Sequence, residues 1–150
     1  MACTKESGTC ATCQSGCTRK PGWFLPGEPE RAAEFMGLPL EEFFRDYLTV
    51  DWWDGDPDIF LLSPAIAGEE TGTEFPGDPR GECVFYQEGR CQIHPVKPHE
   101  CRETWCGAGS GTIHRDTAAA WNAHQGQIRE LLGREPISVP CGFFDLLGRP

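Results

Sequence analysis

The sequence contains no long hydrophobic run. Its longest apolar stretch, IFLL at residues 59–62, ends at Ser63-Pro64 and is far too short to cross a bilayer. The first ten residues, MACTKESGTC, have neither the apolar core nor the small-residue cleavage site of a secretory signal. From these two absences we expect a cytoplasmic protein with no membrane partner.

Basic residues are also scarce, which limits the kinds of partner the protein can have. The chain has 13 Lys and Arg against 23 Asp and Glu, so its formal net charge is −10. Nucleic-acid binding depends on clustered positive charge, and we therefore expect no nucleic-acid partner. Residues 28–58 hold ten acidic side chains against only Arg31 and Arg45. This acidic face is a candidate surface for another protein that carries a basic surface.

Turn-forming residues are abundant. Gly (18 residues) and Pro (13 residues) make up about a fifth of the 150 residues, so long regular elements will be few. The pattern predicts a small, irregular, loop-rich single domain over residues 1–150, mainly α with a short β-hairpin. Pro29 and Gly37 bound a first helix, and a second helix runs from Pro39 to Leu48. The short join between them predicts a tight helical hairpin.

The later part of the chain predicts three further elements. Residues 59–62 are expected to form a short extended or helical element. The stretch CVFYQEGRCQI at residues 83–93 predicts a β-hairpin with its turn at QEG. Asp116 is placed to cap a helix that runs to residue 132 and ends at Gly133. This helix and the tail, through residue 150, are expected to pack on the rest of the domain.

Cysteine is the residue type that indicates a function. Seven of the nine cysteines follow two spacing patterns, C-x2-C-x3-C at residues 10–17 and C-x7-C-x9-C-x4-C at residues 83–106. A C-x-x-C turn aims two sulfurs at one ion and recurs in zinc and iron–sulfur sites, and cytosolic thiols stay reduced. We therefore expect the domain to be organised around a Cys-rich metal centre on which both groups converge. The candidate ligands are Cys10, Cys13, Cys17, Cys83, Cys91, Cys101 and Cys106.

Positive side chains lie close to these cysteines in the sequence. Thiolates around a metal ion leave a net negative charge, which nearby cations can offset. Alternatively, the cations are ordinary surface residues. The basic residues within three positions of one of these seven cysteines are Arg19, Lys20, Arg80, Arg90 and Arg102.

Three stretches together resemble a known family. These are C-x2-C-x3-C at 10–17, the helix pair PGEPERAAEFMGLPLEEFFRDYL, and CVFYQEGRCQIHPVKPHECR. They resemble the YkgJ-like cysteine-cluster family, which is described as a zinc- or iron-chelating domain, from Cys10 to about Cys106. Thr18 stands where that family often has another cysteine. His94 replaces its usual Tyr, as a substitute ligand or a structural histidine, and Lys97 replaces its usual Arg.

The number of cysteines bears on the metal. Six matching cysteines and Cys106 exceed the four ligands of one zinc, which favours either an iron–sulfur cluster with extra thiols nearby or a two-metal thiolate site. Of the two metals, iron–sulfur is slightly favoured over zinc. The sequence thus predicts a small metal-binding protein with a structural, redox or metal-handling role. Two alternatives stay open: a metal-dependent modification enzyme, because flagellin lysine methylases have a similar cysteine pattern, and a metal-free thiol redox switch. No catalytic residue is assigned, and Cys141 is either a ligand or a small buried apolar residue.

Overall fold

The computed structural model describes residues 17–77, 80–103 and 112–138. Helix accounts for 43% of these residues, and the strands form two short two-stranded antiparallel sheets in a small single domain. Single-turn 3-10 helices at His94–Val96 and Asn122–His124 accompany them. The elements, in chain order, are α1 (Glu28–Met36), α2 (Leu40–Tyr47), β1 (Leu48–Trp53), β2 (Ile59–Pro64), β3 (Tyr86–Gln87), β4 (Arg90–Cys91), α3 (His99–Glu103), α4 (Ile113–Trp121) and α5 (Gln125–Leu132).

The two predicted N-terminal helices are confirmed, and they contact each other. Gly37 ends α1 with φ at 71°, a conformation that only glycine adopts readily, and its N–H bonds to the last turn of the helix. Pro39 precedes α2 in an extended conformation. Most apolar side chains of both helices face inward, with Ala32 and Phe43 fully buried. Phe35 of α1, which the helical pattern also placed on the inner face, is instead 50% exposed.

The larger sheet is only partly as expected. The extended alternative for residues 59–62 is correct, because they lie in β2. Its partner strand was not expected from the sequence. Leu48–Trp53 forms β1 and pairs antiparallel with β2, with Val50 opposite Leu62. A turn at residues 54–58 joins the two strands.

Both edges of this sheet are occupied. On the β1 side, Val50 bridges to Glu74 in parallel, and the Val50 N–H donates to the Thr73 carbonyl at 2.8 Å. On the β2 side, the Gln125 side chain accepts the Phe60 N–H at 2.9 Å and donates to the Phe60 carbonyl at 2.8 Å. A glutamine amide thus substitutes for a strand at this edge.

The predicted hairpin at residues 83–93 is confirmed, with shorter strands than expected. β3 and β4 pair with Tyr86 opposite Cys91. The two-residue turn needs positive φ at both positions, and Glu88 (53°) and Gly89 (75°) supply it. Phe85 then stacks on Tyr47 of α2 with ring centroids 5.5 Å apart, which packs the hairpin against the helices.

The C-terminal helix differs from the expectation at its start and middle. It begins at Ile113, so Asp116 lies within its first turn, where its carboxylate accepts a hydrogen bond from the Thr112 hydroxyl at 2.8 Å. The 3-10 turn Asn122–His124 divides it into α4 and α5. Gly133 ends α5 with φ at 73°, as predicted. The tail from residue 139, which was expected to pack on the core, lies outside the described residues.

One core joins the sheet and the helices. α4 and α5 both contact β2, and α2 contacts β1. The Trp121 indole N–H donates to the Phe24 carbonyl at 2.6 Å and fixes α4 against the N-terminal segment. In the described parts of the chain, every helix is too short or too polar to cross a bilayer. The largest fully buried side chains are Trp121, Phe24, Phe43, Phe75, Phe85, Leu48, Leu61, Leu62, Ile93 and Ile128.

Candidate metal centre

Backbone pairing brings Cys17 beside Cys83. Residues 17–19 form a helical turn, and the Cys17 carbonyl accepts the Cys83 N–H at 2.7 Å. Two residues away in each segment, the Gly81 N–H donates to the Arg19 carbonyl at 2.6 Å. The early and late cysteine groups therefore meet through Cys17 and Cys83, which are 66 positions apart in the sequence.

The hairpin positions the next two thiols. Cys83 precedes β3 and is buried, and the backbone N–H groups of Phe85 and Tyr86 face its sulfur and act to lower the pKa of the thiol. The Tyr86 N–H also donates to the Cys83 carbonyl at 2.9 Å. Cys91 ends β4, and its sulfur accepts the N–H of Ile93. Both cysteines are therefore followed by a turn whose amide groups point back at the sulfur.

Cys101 comes from the short helix α3. Its sulfur accepts the backbone N–H of Gly22, which lies in the segment between the first cysteine turn and α1. The approach is close, because a Cβ atom placed on Gly22 would lie 3.0 Å from both the backbone nitrogen and the Sγ of Cys101. Four thiols from three separate segments, with Cys83 buried and the other three half-buried, thus lie in one region of the fold.

Burial is the main influence on these four thiols. It raises the pKa of Cys17 and Cys91, raises that of Cys83 to about 12, and raises that of Cys101 well above its ordinary value. The thiols also lie close enough for charge on one to raise the pKa of another: Cys17 and Cys91 act on Cys83, and all three act on Cys101. None is in a disulfide. In the absence of a metal they are neutral thiols at pH 7.

Nearness does not amount to a formed coordination shell. Within residues 17–77, 80–103 and 112–138, no group of three or more His, Cys, Asp or Glu side chains is arranged so that it could hold a metal ion. Chemically, the four thiols fit a soft metal, and their backbone N–H donors fit bound thiolates. The described residues provide the donor set and leave the metal centre itself unshown.

Three of the candidate ligands, Cys10, Cys13 and Cys106, lie outside the described residues, as does Cys141. His94, the candidate substitute ligand, begins a 3-10 turn and is exposed.

Two of the cations expected to offset thiolate charge contact carboxylates. Arg102 pairs with Glu28 at 2.5 Å, and Lys20 lies 3.6 Å from Asp51. The positive charge that lowers the pKa of Cys17 and Cys91 is that of Lys97, although burial outweighs it at both thiols. Lys97 lies six residues after Cys91 and four residues before Cys101, farther from a cysteine in the sequence than the five cations named from the sequence.

Sequence reasoning missed three buried carboxylates that hold this region together. Glu28 accepts the N–H groups of Leu25 at 2.7 Å and His99 at 2.9 Å. It thereby fixes the start of α1 to the start of α3, the helix that carries Cys101. The sequence gives no signal for this, because the partners lie 71 residues apart. Glu28 is only 7% exposed, and so does not contribute to the expected acidic face.

Asp51 and Glu100 flank Trp23. The Trp23 indole N–H donates to Asp51 at 2.8 Å, and its backbone N–H donates to Glu100 at 2.9 Å. The other oxygen of Glu100 lies 2.8 Å from Nδ1 of His114, and this hydrogen bond raises the pKa of the imidazole. Burial raises the pKa of Asp51, against the opposing effects of Lys20 and Trp23.

The chain was compared with protein-family models, curated proteins and solved structures. The chain matches no family model, no curated protein and no solved structure.

Proposed function

We propose that this is a small metal-binding protein in which Cys17, Cys83, Cys91 and Cys101 hold one thiolate-bound metal centre, an iron–sulfur cluster or zinc. The observation that carries the proposal is the grouping of four free thiols from three segments, near enough to change one another's pKa. The centre serves a structural, redox or metal-handling role. The resemblance to the YkgJ-like family supports the same function.

The number and type of donors suit both metals. Four thiolates complete a tetrahedral zinc site and equally bind a four-iron cluster. The hydrogen bonds that Cys83, Cys91 and Cys101 accept from backbone N–H groups stabilise negative charge on sulfur. We propose that the four side chains turn toward a shared ion when it binds. Cys10, Cys13 and Cys106 remain candidates for further ligands.

The raised pKa values favour a metal over metal-free thiol chemistry. A nucleophilic or redox-sensing cysteine needs a thiolate at neutral pH, and burial opposes that in all four thiols. Binding of a soft metal ion would make deprotonation of these thiols favourable, because coordination displaces the thiol proton.

The test is metal analysis and absorption spectroscopy of anaerobically purified protein. An iron–sulfur cluster gives a brown protein with about four iron atoms per chain, whereas a zinc centre gives about one zinc per chain and no colour. Protein with neither iron nor zinc after anaerobic reconstitution would contradict the proposal. Disulfides found by mass spectrometry after alkylation of the native protein would favour the redox switch.

Serine variants assign the ligands. Cys17→Ser, Cys83→Ser, Cys91→Ser and Cys101→Ser should each lower bound metal at least about tenfold, because serine is a poor ligand for soft metals. Cys3→Ser is the matched control, since Cys3 belongs to neither spacing pattern. Full metal content in all four variants would overturn the ligand assignment.

A further inference from the structure

Gly22 and Trp23 dock side by side on Glu100 and Cys101. The Gly22 N–H donates to the sulfur of Cys101, and the next N–H along the chain, from Trp23, donates to Oε1 of Glu100 at 2.9 Å. Two consecutive amides of one segment therefore bind two consecutive side chains of α3. This arrangement fixes the Cys101 thiol in both distance and direction.

The absence of a side chain at Gly22 is what permits the docking. A Cβ atom there would lie 3.0 Å from three atoms: the Cys101 nitrogen, the Cys101 Sγ and the Glu100 Cβ. The Cys101 nitrogen is a main-chain atom and the Glu100 Cβ is attached directly to the main chain, so neither can move without the helix. Any larger residue at position 22 therefore requires either α3 or the segment itself to shift, which disturbs this contact.

The carboxylates hold the two surfaces together on either side of this contact. Glu100 is 1% exposed and binds Trp23 and His114. Glu28 binds the His99 N–H at the start of α3 and the Leu25 N–H just beyond Trp23. Since both ends are tied, a displacement at Gly22 is transmitted to the Cys101 sulfur.

We infer that Gly22 is a positioning residue of the thiol centre, which places the Cys101 sulfur by its backbone N–H and by its lack of a side chain. This inference rests on the proposed function for its metal readout, and it also makes a prediction about the thiol in metal-free protein. Gly22 does not bind metal itself. It acts through Cys101.

The test compares three glycine variants. Gly22→Ala should weaken metal binding about 10- to 100-fold, the usual effect of losing a group that orients a ligand, measured by chelator competition. Gly126→Ala is the benign control, because nothing lies within 4 Å of its added Cβ. Gly72→Ala is the destabilising control: its φ is 70°, and its Cβ would lie 3.1 Å from the Arg45 Cα. Gly72→Ala should lower the melting temperature and keep the wild-type metal affinity.

A metal-free readout separates this inference from the proposed function. In chelated protein, iodoacetamide should alkylate Cys101 at least about tenfold faster in Gly22→Ala than in the wild type, because displacing α3 from the segment opens the half-buried thiol to the reagent. If the wild type binds no metal, the proposed function fails and the alkylation rate alone decides the positioning role. Wild-type metal affinity together with a wild-type alkylation rate in Gly22→Ala would overturn the inference.

A measurement on wild-type protein covers the case in which Gly22→Ala does not fold. Amide hydrogen exchange at Gly22 should be slowed at least about 100-fold relative to a free peptide, in keeping with a hydrogen-bonded amide inside the structure. The same amide should exchange faster in Cys101→Ala, which removes the acceptor. Free exchange at Gly22 in the folded wild type would contradict the inference.

Discussion

Thr49 in β1 is fully buried, and among the described residues its hydroxyl has no hydrogen-bond partner. An unpaired polar atom in the interior costs about 1–3 kcal/mol. Valine has nearly the same shape and no hydroxyl, so we expect Thr49→Val to raise the free energy of unfolding by about 1 kcal/mol. Urea denaturation measures this change.

Ser63, directly opposite Thr49 in the sheet, provides the control. Its hydroxyl donates to the Pro64 carbonyl at 3.1 Å, so Ser63→Ala should not stabilise the protein. A destabilised Thr49→Val variant would mean that the threonine hydroxyl is paired after all.

Glu74 predicts a specific sensitivity to acid. Burial alone would raise its pKa, but hydrogen bonds from both terminal nitrogens of Arg134 and from the Ile137 N–H outweigh it and lower the pKa from 4.5 to about 2. A lowered folded-state pKa stabilises the protein at pH above 4.5, and the contribution disappears as the pH falls toward 2. Since Arg134 is nearly half exposed, solvent screening reduces the effect to about 1 kcal/mol.

The measurement is the free energy of unfolding between pH 6 and pH 2 in the wild type and in Glu74→Gln. The variant should be about 1 kcal/mol less stable than the wild type at pH 6 and equal to it near pH 2. Glu135→Gln serves as control, because that side chain is mostly exposed. A constant difference between wild type and Glu74→Gln across this range would exclude the proposed linkage.

At the scale of the elements, Gln125 connects α5 to the edge of β2. Its amide makes two hydrogen bonds to the backbone of Phe60 and a third, of 2.9 Å, to the Trp121 carbonyl. Gln125→Ala leaves these backbone groups without partners, so we expect a loss of about 1–2 kcal/mol of unfolding free energy.

Gln127→Ala, compared with Gln125→Ala by thermal unfolding, is the matched control. Among the described residues its amide bonds to the exposed Glu30 side chain alone, at 2.8 Å, and the change should stay within about 0.5 kcal/mol. Equal effects of the two substitutions would show that the hydrogen bonds of Gln125 to Phe60 stabilise the fold no more than the exposed contact of Gln127 does.

Elements with local stop signals were predictable from the sequence, and elements defined by distant partners were not. Pro29, Gly37 and Gly133 mark helix ends by their own backbone preferences, and each helix end was found. The strand β1 was missed because Asp51 interrupts its apolar pattern. That carboxylate is tolerated in the interior because the Trp23 indole N–H, 28 residues earlier, donates to it and Lys20 lies 3.6 Å away.

In the candidate centre, too, local sequence patterns were predictive and contacts with distant residues were not. The spacing of the cysteines predicted that early and late groups would meet, and Cys17 does lie beside Cys83. The surroundings were not predictable, because Gly22, Glu28 and Glu100 act through residues more than 70 positions away. Their roles arise from tertiary contacts that no local pattern encodes.

For the molecule as a whole, the four thiols lie where three segments of the chain come together. Residues 17–22, the hairpin and α3 meet at Cys17, Cys83, Cys91 and Cys101. If these hold a metal, its binding energy adds to the stability of the fold. We expect removal of the metal by a chelator to lower the melting temperature by about 10 °C.

Differential scanning calorimetry before and after chelation, with re-addition of metal, tests this prediction. Cys101→Ser should melt near the temperature of the metal-free wild type and respond little to the chelator. An unchanged melting temperature after confirmed loss of metal would show that the metal does not contribute to folding stability.

The occupied edges of the larger sheet have a consequence for self-association. The backbone of Phe60 is engaged by Gln125, the Leu62 carbonyl accepts the Phe24 N–H at 3.1 Å, and Pro64 has no N–H to offer. Across the sheet, residues 73–75 lie along β1. A strand from another molecule therefore finds few free backbone N–H and C=O groups at these edges. We expect the folded protein to resist fibril growth by strand addition at this sheet, even at high protein concentration.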